Sequence, residues 1–141
     1  MKVLVDTSVW SAALRRDVPA NTNIVRELQH LISDHLVKII GPIRQELLSG
    51  IRDASHFGRL TNHLAAFPDI ELTTEDYVVA AKFFNLCRTK GIQGSNTDFL
   101  ICAVAVRNDL AIFTTDKDFL QFAKYLPIVL HKASLQEKAT Q

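Results

Sequence analysis

Four acidic residues, spread along the chain, have the chemistry needed to hold a divalent cation. Asp6 and Asp116 each follow a short apolar segment, and Asp98 begins a long one. Glu46 lies in a mixed segment between them. Carboxylates gathered in one cleft repel each other, and a hard cation such as Mg²⁺, which prefers oxygen ligands, removes that repulsion. Such a site can activate a bound water for attack on phosphorus.

Each of these acids also has an ordinary structural explanation. Asp6 and Asp116 could cap helices, and Asp98 could be a first-turn acid favoured by the helix dipole. Glu46 taken alone is typical of an exposed helix face. The four acids together are more informative than each one alone. Ligands of open α/β sheets bind outside the carboxyl ends of the strands, and Asp6 and Asp116 each follow a predicted strand.

The remaining metal-ligating residue types do not point to zinc. Cys87 and Cys102 lie in apolar segments without C-x-x-C or zinc spacing, so we expect buried, reduced thiols. The five histidines show no pattern with the acids. The ligand set therefore favours a hard cation over zinc.

Hydroxyl groups flank the first and last of the four acids. Thr7 and Ser8 follow Asp6, and Thr114 and Thr115 precede Asp116. They could orient the carboxylates or contact a phosphate, although turn chemistry explains them equally well. Either Thr7 or Ser8 could also cap the helix expected after the first strand.

The elements that must position these groups alternate between short apolar strands and helices. We expect strands at residues 3–5, 36–40, 70–72, 110–114 and 127–130. We expect helices at residues 9–14, 22–35, 41–50, 54–67, 77–90 and 97–108, with a short one opened by Asp116. The helix at 97–108 is apolar nearly all round, which predicts a central position. The alternation predicts an α/β sandwich with a parallel sheet.

Length and composition fit one folded domain. The chain has 141 residues, of which 48% are hydrophobic and 22% charged, so an intrinsically disordered protein is excluded. Because the net charge is only +1, any basic surface for binding nucleic acid must be local. We expect one domain over residues 1–131 and a polar tail over 132–141. With three apolar residues between Lys2 and Asp6, and no run near the ~20 needed to span a bilayer, we expect no leader, no membrane partner and a cytoplasmic location.

Four segments around the acids resemble, in order, those of PIN-domain ribonucleases, above all the VapC toxins of bacterial toxin–antitoxin pairs. The sequence VLVDTSVW at residues 3–10 resembles the start of the family. The segment PIRQELL at 42–48 carries the isolated acid of the helix after the second strand. DFLICAVA at 98–105 is similar to Asp-x-x-Ile-x-Ala, and TTDKDF at 114–119 is close to Thr-x-Asp-x-Asp-Phe.

The resemblance, which spans residues 2–130, implies a fold and an activity. The fold would be a three-layer PIN-like sandwich with a central, mainly parallel sheet flanked by helices. Asp6, Glu46, Asp98 and Asp116 match the acids that bind Mg²⁺ or Mn²⁺ while the enzyme hydrolyses RNA phosphodiester bonds. Asp118 matches an auxiliary acid, which we interpret mainly as a structural cap. The resemblance also implies a homodimer and inhibition by a VapB-type antitoxin that inserts a basic or bulky segment into the acidic site.

Binding of RNA requires cations near the acidic cleft. Arg15 and Arg16 follow the first predicted helix and Lys117 lies beside the last acid, so we interpret all three as phosphate contacts, with solvated surface cations as the alternative. Trp10 could stack on a base, but its large apolar area favours a buried or interface position.

Two other classes of protein deserve comparison. One is a non-catalytic interaction module with a PIN-like fold, against which the complete set of acids argues. The other is an aspartate-based phosphotransfer domain. A phosphatase of the haloacid-dehalogenase type would need an aspartate where Ser8 stands, and a receiver domain would need an acidic pair that the chain lacks. No glycine-rich phosphate loop is present either.

Overall fold

A four-stranded parallel sheet forms the centre of the computed structural model, which describes residues 1–14 and 22–132. The strands are β1 (Val3–Val5), β2 (Val37–Lys38), β3 (Ala111–Phe113) and β4 (Val129–Leu130), in the order β2-β1-β3-β4. The helices are α1 (Thr7–Leu14), α2 (Asn23–Ser33), α3 (Gly41–Leu48), α4 (Ala54–Leu64), α5 (Thr74–Thr89), α6 (Asn96–Arg107) and α7 (Asp118–Phe122). The α/β sandwich with a parallel sheet flanked by helices is thereby confirmed.

The two central strands owe their burial to apolar residues on both faces. All three residues of β1 and all three of β3 are buried. The register pairs Val3 with Ala111 and Val5 with Phe113, so both strands end at the same level. In α6 the seven residues from Phe99 to Ala105 are all buried, which confirms the central helix.

One predicted strand is wrong. Residues 70–72 form no strand, and the segment contributes only an isolated bridge between Ile39 and Asp69, with the amide of Ile70 donating to the carbonyl of Ile39 at 2.9 Å. The chain turns into α5 directly afterwards, because the side chain of Asp76 accepts a hydrogen bond from the amide of Thr73 at 2.8 Å. This capping box also starts α5 three residues earlier than the expected helix at 77–90.

Two ion pairs join helices to neighbouring segments. Arg44 of α3 lies 3.1 Å from Asp69 and donates to the carbonyls of Leu64 and Phe67, so its guanidinium anchors the loop after α4. Arg107 at the end of α6 lies 2.6 Å from Asp76, whose side chain is only 2% exposed. The second pair ties the start of α5 to the end of α6.

Both cysteines are free and buried, as expected. Burial raises the pKa of each thiol, so Cys87 and Cys102 remain protonated at neutral pH. Within residues 1–14 and 22–132, no helix is both long enough and apolar enough to cross a membrane. The domain boundary at 131 and the polar tail stay predictions, and residues 133–141 lie outside the described part of the chain.

Candidate metal centre

Parallel pairing of β1 and β3 brings the first and last acids to one edge of the sheet. Asp6 directly follows β1, and its amide donates to the carbonyl of Phe113 at 2.9 Å, which continues the pairing past the strand. Thr114 follows β3, and Asp116 comes two residues later. This is the carboxyl edge, where open α/β sheets bind their ligands.

Two hydroxyl groups fix the carboxylate of Asp6, which is only 6% exposed. Its Oδ2 accepts hydrogen bonds from Ser8 Oγ and from Thr114 Oγ1, both at 2.8 Å. Ser8 Oγ also accepts from the amide of Thr115 at 3.1 Å. One hydroxyl from α1 and one from the segment after β3 therefore hold a single carboxylate oxygen, and the amide of Thr115 supports Ser8.

Thr114 connects Asp6 with Asp116. While its hydroxyl donates to Asp6, the same oxygen accepts a hydrogen bond from the amide of Asp116 at 3.0 Å. Asp116 Oδ1 in turn accepts from the amide of Asp118 at 2.9 Å, which forms the turn into α7. Thr115 and Asp118 thus contribute backbone amides, and the side chain of Asp118 is exposed.

Asp98 is oriented by the start of its own helix. Ser95 caps α6, with Oγ accepting from the amide of Asp98 at 3.0 Å while its own amide donates to Asp98 Oδ2 at 3.2 Å. Burial raises the pKa of Asp98 above its usual value, and although the two bonds from Ser95 oppose this, the negative charges of Asp116 and Asp6 add to it. Asp98 therefore lies within electrostatic reach of both Asp6 and Asp116.

Glu46 reaches the same region through Thr7. The side chain is exposed on α3, and its Oε2 accepts a hydrogen bond from Thr7 Oγ1 at 2.8 Å. Thr7 is the neighbour of Asp6 in the chain, so Glu46 borders the three aspartates. Helical periodicity alone places Glu46 on a solvated helix face. Its contact with Thr7 of α1 cannot be predicted from the sequence and is seen only in the folded structure.

The donor set fits a hydrated hard cation. Each of the four carboxylates uses one oxygen in the bonds given above, and its other oxygen accepts none from the described residues. Within that part of the chain, no three acidic, histidine or cysteine side chains converge closely enough to enclose an ion directly. Mg²⁺ takes one or two carboxylates directly and keeps several waters, so an open arrangement of free carboxylate oxygens suits it.

The sequence misplaces the caps of two helices. Thr7 and Ser8 do not cap a helix at 9–14, because α1 begins at Thr7 and both lie in its first turn. Asp116 does not open α7, which begins at Asp118. Thr114 is among the hydroxyls that the sequence suggests could orient the carboxylates, and it contacts Asp6. Ser95 is not among them, although it contacts Asp98, and the Ser-x-x-Asp spacing is the available signal for it.

The candidate RNA contacts are placed only in part. Lys117 is exposed beside Asp116. Arg15 and Arg16 lie outside the described residues. Trp10 is 4% exposed and packs edge-on against Phe67 with ring centroids 5.2 Å apart, so it is a buried residue and does not offer a stacking surface for a base.

Comparisons with known proteins concern the family and the fold. A family model described as the PIN domain matches residues 3–125. FitAcB from Neisseria gonorrhoeae is similar in structure, with 20% identity and a TM-score of 0.75 over 93% of this chain and 97% of that one. VapBC2 from Rickettsia felis, bound to a promoter DNA fragment, has 16% identity and a TM-score of 0.74, over 93% of this chain and 98% of that one. A toxin–antitoxin complex from Klebsiella pneumoniae has 16% identity and a TM-score of 0.64, over 91% of this chain and 96% of that one.

At these identities the structural matches show a shared fold. No curated protein matches the sequence significantly.

Proposed function

The chain belongs to the PIN-domain family, and from this premise we propose that it is an endoribonuclease that uses Mg²⁺ or Mn²⁺ to hydrolyse RNA phosphodiester bonds. One observation carries the proposal. Thr114 links Asp6 with Asp116, Asp98 feels the charge of both, and each of the three keeps one oxygen free of hydrogen bonds from the described residues. Without a cation the neighbouring carboxylates repel each other, and with one their free oxygens serve as ligands.

The residues of the site divide the work between them. Asp6, Asp98 and Asp116 are the proposed metal ligands, either directly or through water. Glu46, held by Thr7, is placed to bind a water at the border of the site. A bound cation supplies positive charge beside the scissile phosphate and a water activated for attack on phosphorus.

Supporting residues hold these carboxylates in fixed positions. Ser8 and Thr114 orient Asp6, and Ser95 orients Asp98. Because these hydrogen bonds orient the carboxylates, little rearrangement is needed to receive a cation. Lys117, Arg15 and Arg16 are the proposed contacts to RNA phosphates, because binding of RNA at an acidic cleft requires nearby cations.

We further propose that the protein is the toxin of a toxin–antitoxin pair in the cytoplasm, a homodimer restrained by a VapB-type antitoxin. The structurally similar toxin–antitoxin complex from Klebsiella pneumoniae supports this assignment. Apolar grooves on the surface support protein partners in general. One of about 470 Å³ lies between α5 and α6, and another of about 390 Å³ lies among α1, α2 and α4.

Expression of the chain alone in a bacterial host tests the proposal. We expect growth arrest with fragmented RNA, because no antitoxin is present to restrain the nuclease. Asp98→Asn should abolish both effects. The matched control is Asp34→Asn, which alters an exposed acid at the opposite edge of the sheet, before β2, and should leave the arrest unchanged. Arrest that persists in Asp98→Asn with intact RNA would point to a different mechanism.

A further inference from the structure

We propose that Gly94 is a positioning residue for the metal centre, because the absence of a side chain there allows two buried aromatic rings to pack against the loop that orients Asp98. This inference rests on the proposed function, since it concerns the binding of a cation by the same acids. Nothing in the motifs around the four acids assigns a role to Gly94.

Two aromatic rings occupy the space that a side chain at Gly94 would need. A Cβ atom at this position would lie 2.6 Å from Cζ of Phe122 and 2.9 Å from Cε2 of Phe99, closer than real Cβ contacts allow. Phe122 is 0% and Phe99 1% exposed, so displacing either ring disturbs the packed core. Gly41 and Gly58, in contrast, have no neighbouring atom within 4 Å of the same position.

On one side, Gly94 controls a group that holds Asp98. The amide that donates to Asp98 Oδ2 belongs to Ser95, and it forms part of the peptide bond between Gly94 and Ser95. A displaced Gly94 therefore displaces this amide directly. The hydroxyl of Ser95, which caps the amide of Asp98, moves with it. The orientation of the carboxylate thus depends on how closely the loop approaches the rings.

On the other side, the ring of Phe122 belongs to the helix that follows Asp116. Phe122 lies on α7, whose first amide, that of Asp118, donates to the carboxylate of Asp116. The rings of Phe99 and Phe122 have centroids 4.8 Å apart, and Phe99 directly follows Asp98. A side chain at position 94 would therefore displace both the loop that orients Asp98 and the helix that follows Asp116. The contact between Gly94 and the two rings thus sets the relative position of Asp98 and Asp116.

The test compares the wild type with Gly94→Ala and with the control Gly58→Ala, whose added methyl group meets open space. Isothermal titration with MnCl₂ alone measures metal affinity, and steady-state cleavage measures kcat and KM for RNA. We expect Gly94→Ala to bind Mn²⁺ about 10-fold more weakly and to lose kcat by a similar factor, as for changes in groups that orient metal ligands, with KM unchanged. Gly58→Ala should match the wild type.

A second variant checks the steric cause. Replacing Phe122 by leucine removes the ring atoms nearest to position 94 and leaves the contact with Phe99. Gly94→Ala should therefore weaken Mn²⁺ binding less in the Phe122→Leu background than in the wild type. If Gly94→Ala does not fold, recovery of folding in the double variant shows the steric relief. An equal loss of Mn²⁺ affinity in both backgrounds, or a double variant that stays unfolded while Phe122→Leu folds, would contradict the steric role.

Amide signals separate this inference from the proposed function. In ¹H–¹⁵N spectra of the metal-free protein, the amides of Ser95 and Asp98 should shift in Gly94→Ala and stay in place in Gly58→Ala. Unshifted amides together with unchanged Mn²⁺ affinity would overturn the positioning role. If the wild type neither binds Mn²⁺ nor cleaves RNA, the proposed function fails, and the amide signals still decide whether Gly94 positions Asp98.

Discussion

At the scale of single residues, the hydroxyl of Thr114 is the main connection within the site. It donates to Asp6 and accepts from the amide of Asp116, so it joins two acids that are 110 positions apart in the chain. Ser8 supplies the second bond to Asp6. The proposed metal site therefore depends on small polar side chains as much as on its carboxylates.

Replacing Thr114 by valine removes both hydrogen bonds and keeps the shape of the side chain. We expect kcat/KM for metal-dependent RNA cleavage to fall by about 10- to 100-fold, because Asp6 loses one of the groups that orient it. The free energy of unfolding should fall by about 1 kcal/mol for the lost hydrogen bonds. Cleavage kinetics and urea unfolding measure the two effects.

Thr89→Val provides the matched control for this change. The hydroxyl of Thr89 donates to the carbonyl of Leu86 at an exposed helix end, away from the acids. Its loss should leave cleavage unchanged. Equal activity in Thr114→Val and Thr89→Val would show that Thr114 has no orienting role.

At the scale of elements, the sequence predicts the helices and the central strands well where the signal is local. The capping spacing of Ser95 and Asp98 and the apolar segment after them define α6 without any tertiary information. Residues 70–72 fail as a strand because a short apolar run does not determine pairing. The same limit applies to the site, since the contact between Thr114 and Asp6 depends on the register of β1 against β3.

The start of α5 and the end of α6 are joined by Asp76 and Arg107. Burial by itself raises the pKa of Asp76, but hydrogen bonds from Thr73 and Arg107 and the charge of Arg107 outweigh it, and the net pKa is lowered. A lowered pKa means that ionised Asp76 stabilises the folded state. This contribution is complete above the unfolded pKa of about 4 and is lost as the pH falls through the lower folded pKa.

We expect Asp76→Asn to lower the free energy of unfolding at neutral pH by about 1.5–3 kcal/mol, the range for hydrogen bonds to charged groups. The difference from the wild type should shrink as the pH falls below about 4, because the wild-type carboxylate takes up a proton as the pH passes its lowered folded pKa. Urea unfolding across this pH range measures both quantities. The control is Glu75→Gln, which changes an exposed acid in the same first turn and should leave the free energy of unfolding nearly unchanged. A constant difference at all pH values would contradict the ionic contribution.

At the scale of the whole molecule, fold and site support one activity. The parallel sheet brings Asp6 and Asp116 to its carboxyl edge, and α6 adds Asp98. The net charge of +1 means that basic residues elsewhere balance this acidic edge. A nuclease with so small a net charge must hold RNA by a few local cations, which agrees with the proposed role of Lys117, Arg15 and Arg16.

The most direct test of the central claim is cleavage of single-stranded RNA by the purified protein in MnCl₂ and in EDTA. We expect the wild type and Asp34→Asn to cleave RNA in Mn²⁺ and to be inactive in EDTA. Asp6→Asn should lose at least about 100-fold in rate, because removing a proposed ligand costs more than removing a group that only orients one. Cleavage that persists in EDTA, or equal rates for the wild type and Asp6→Asn, would contradict a metal-dependent nuclease built on these acids.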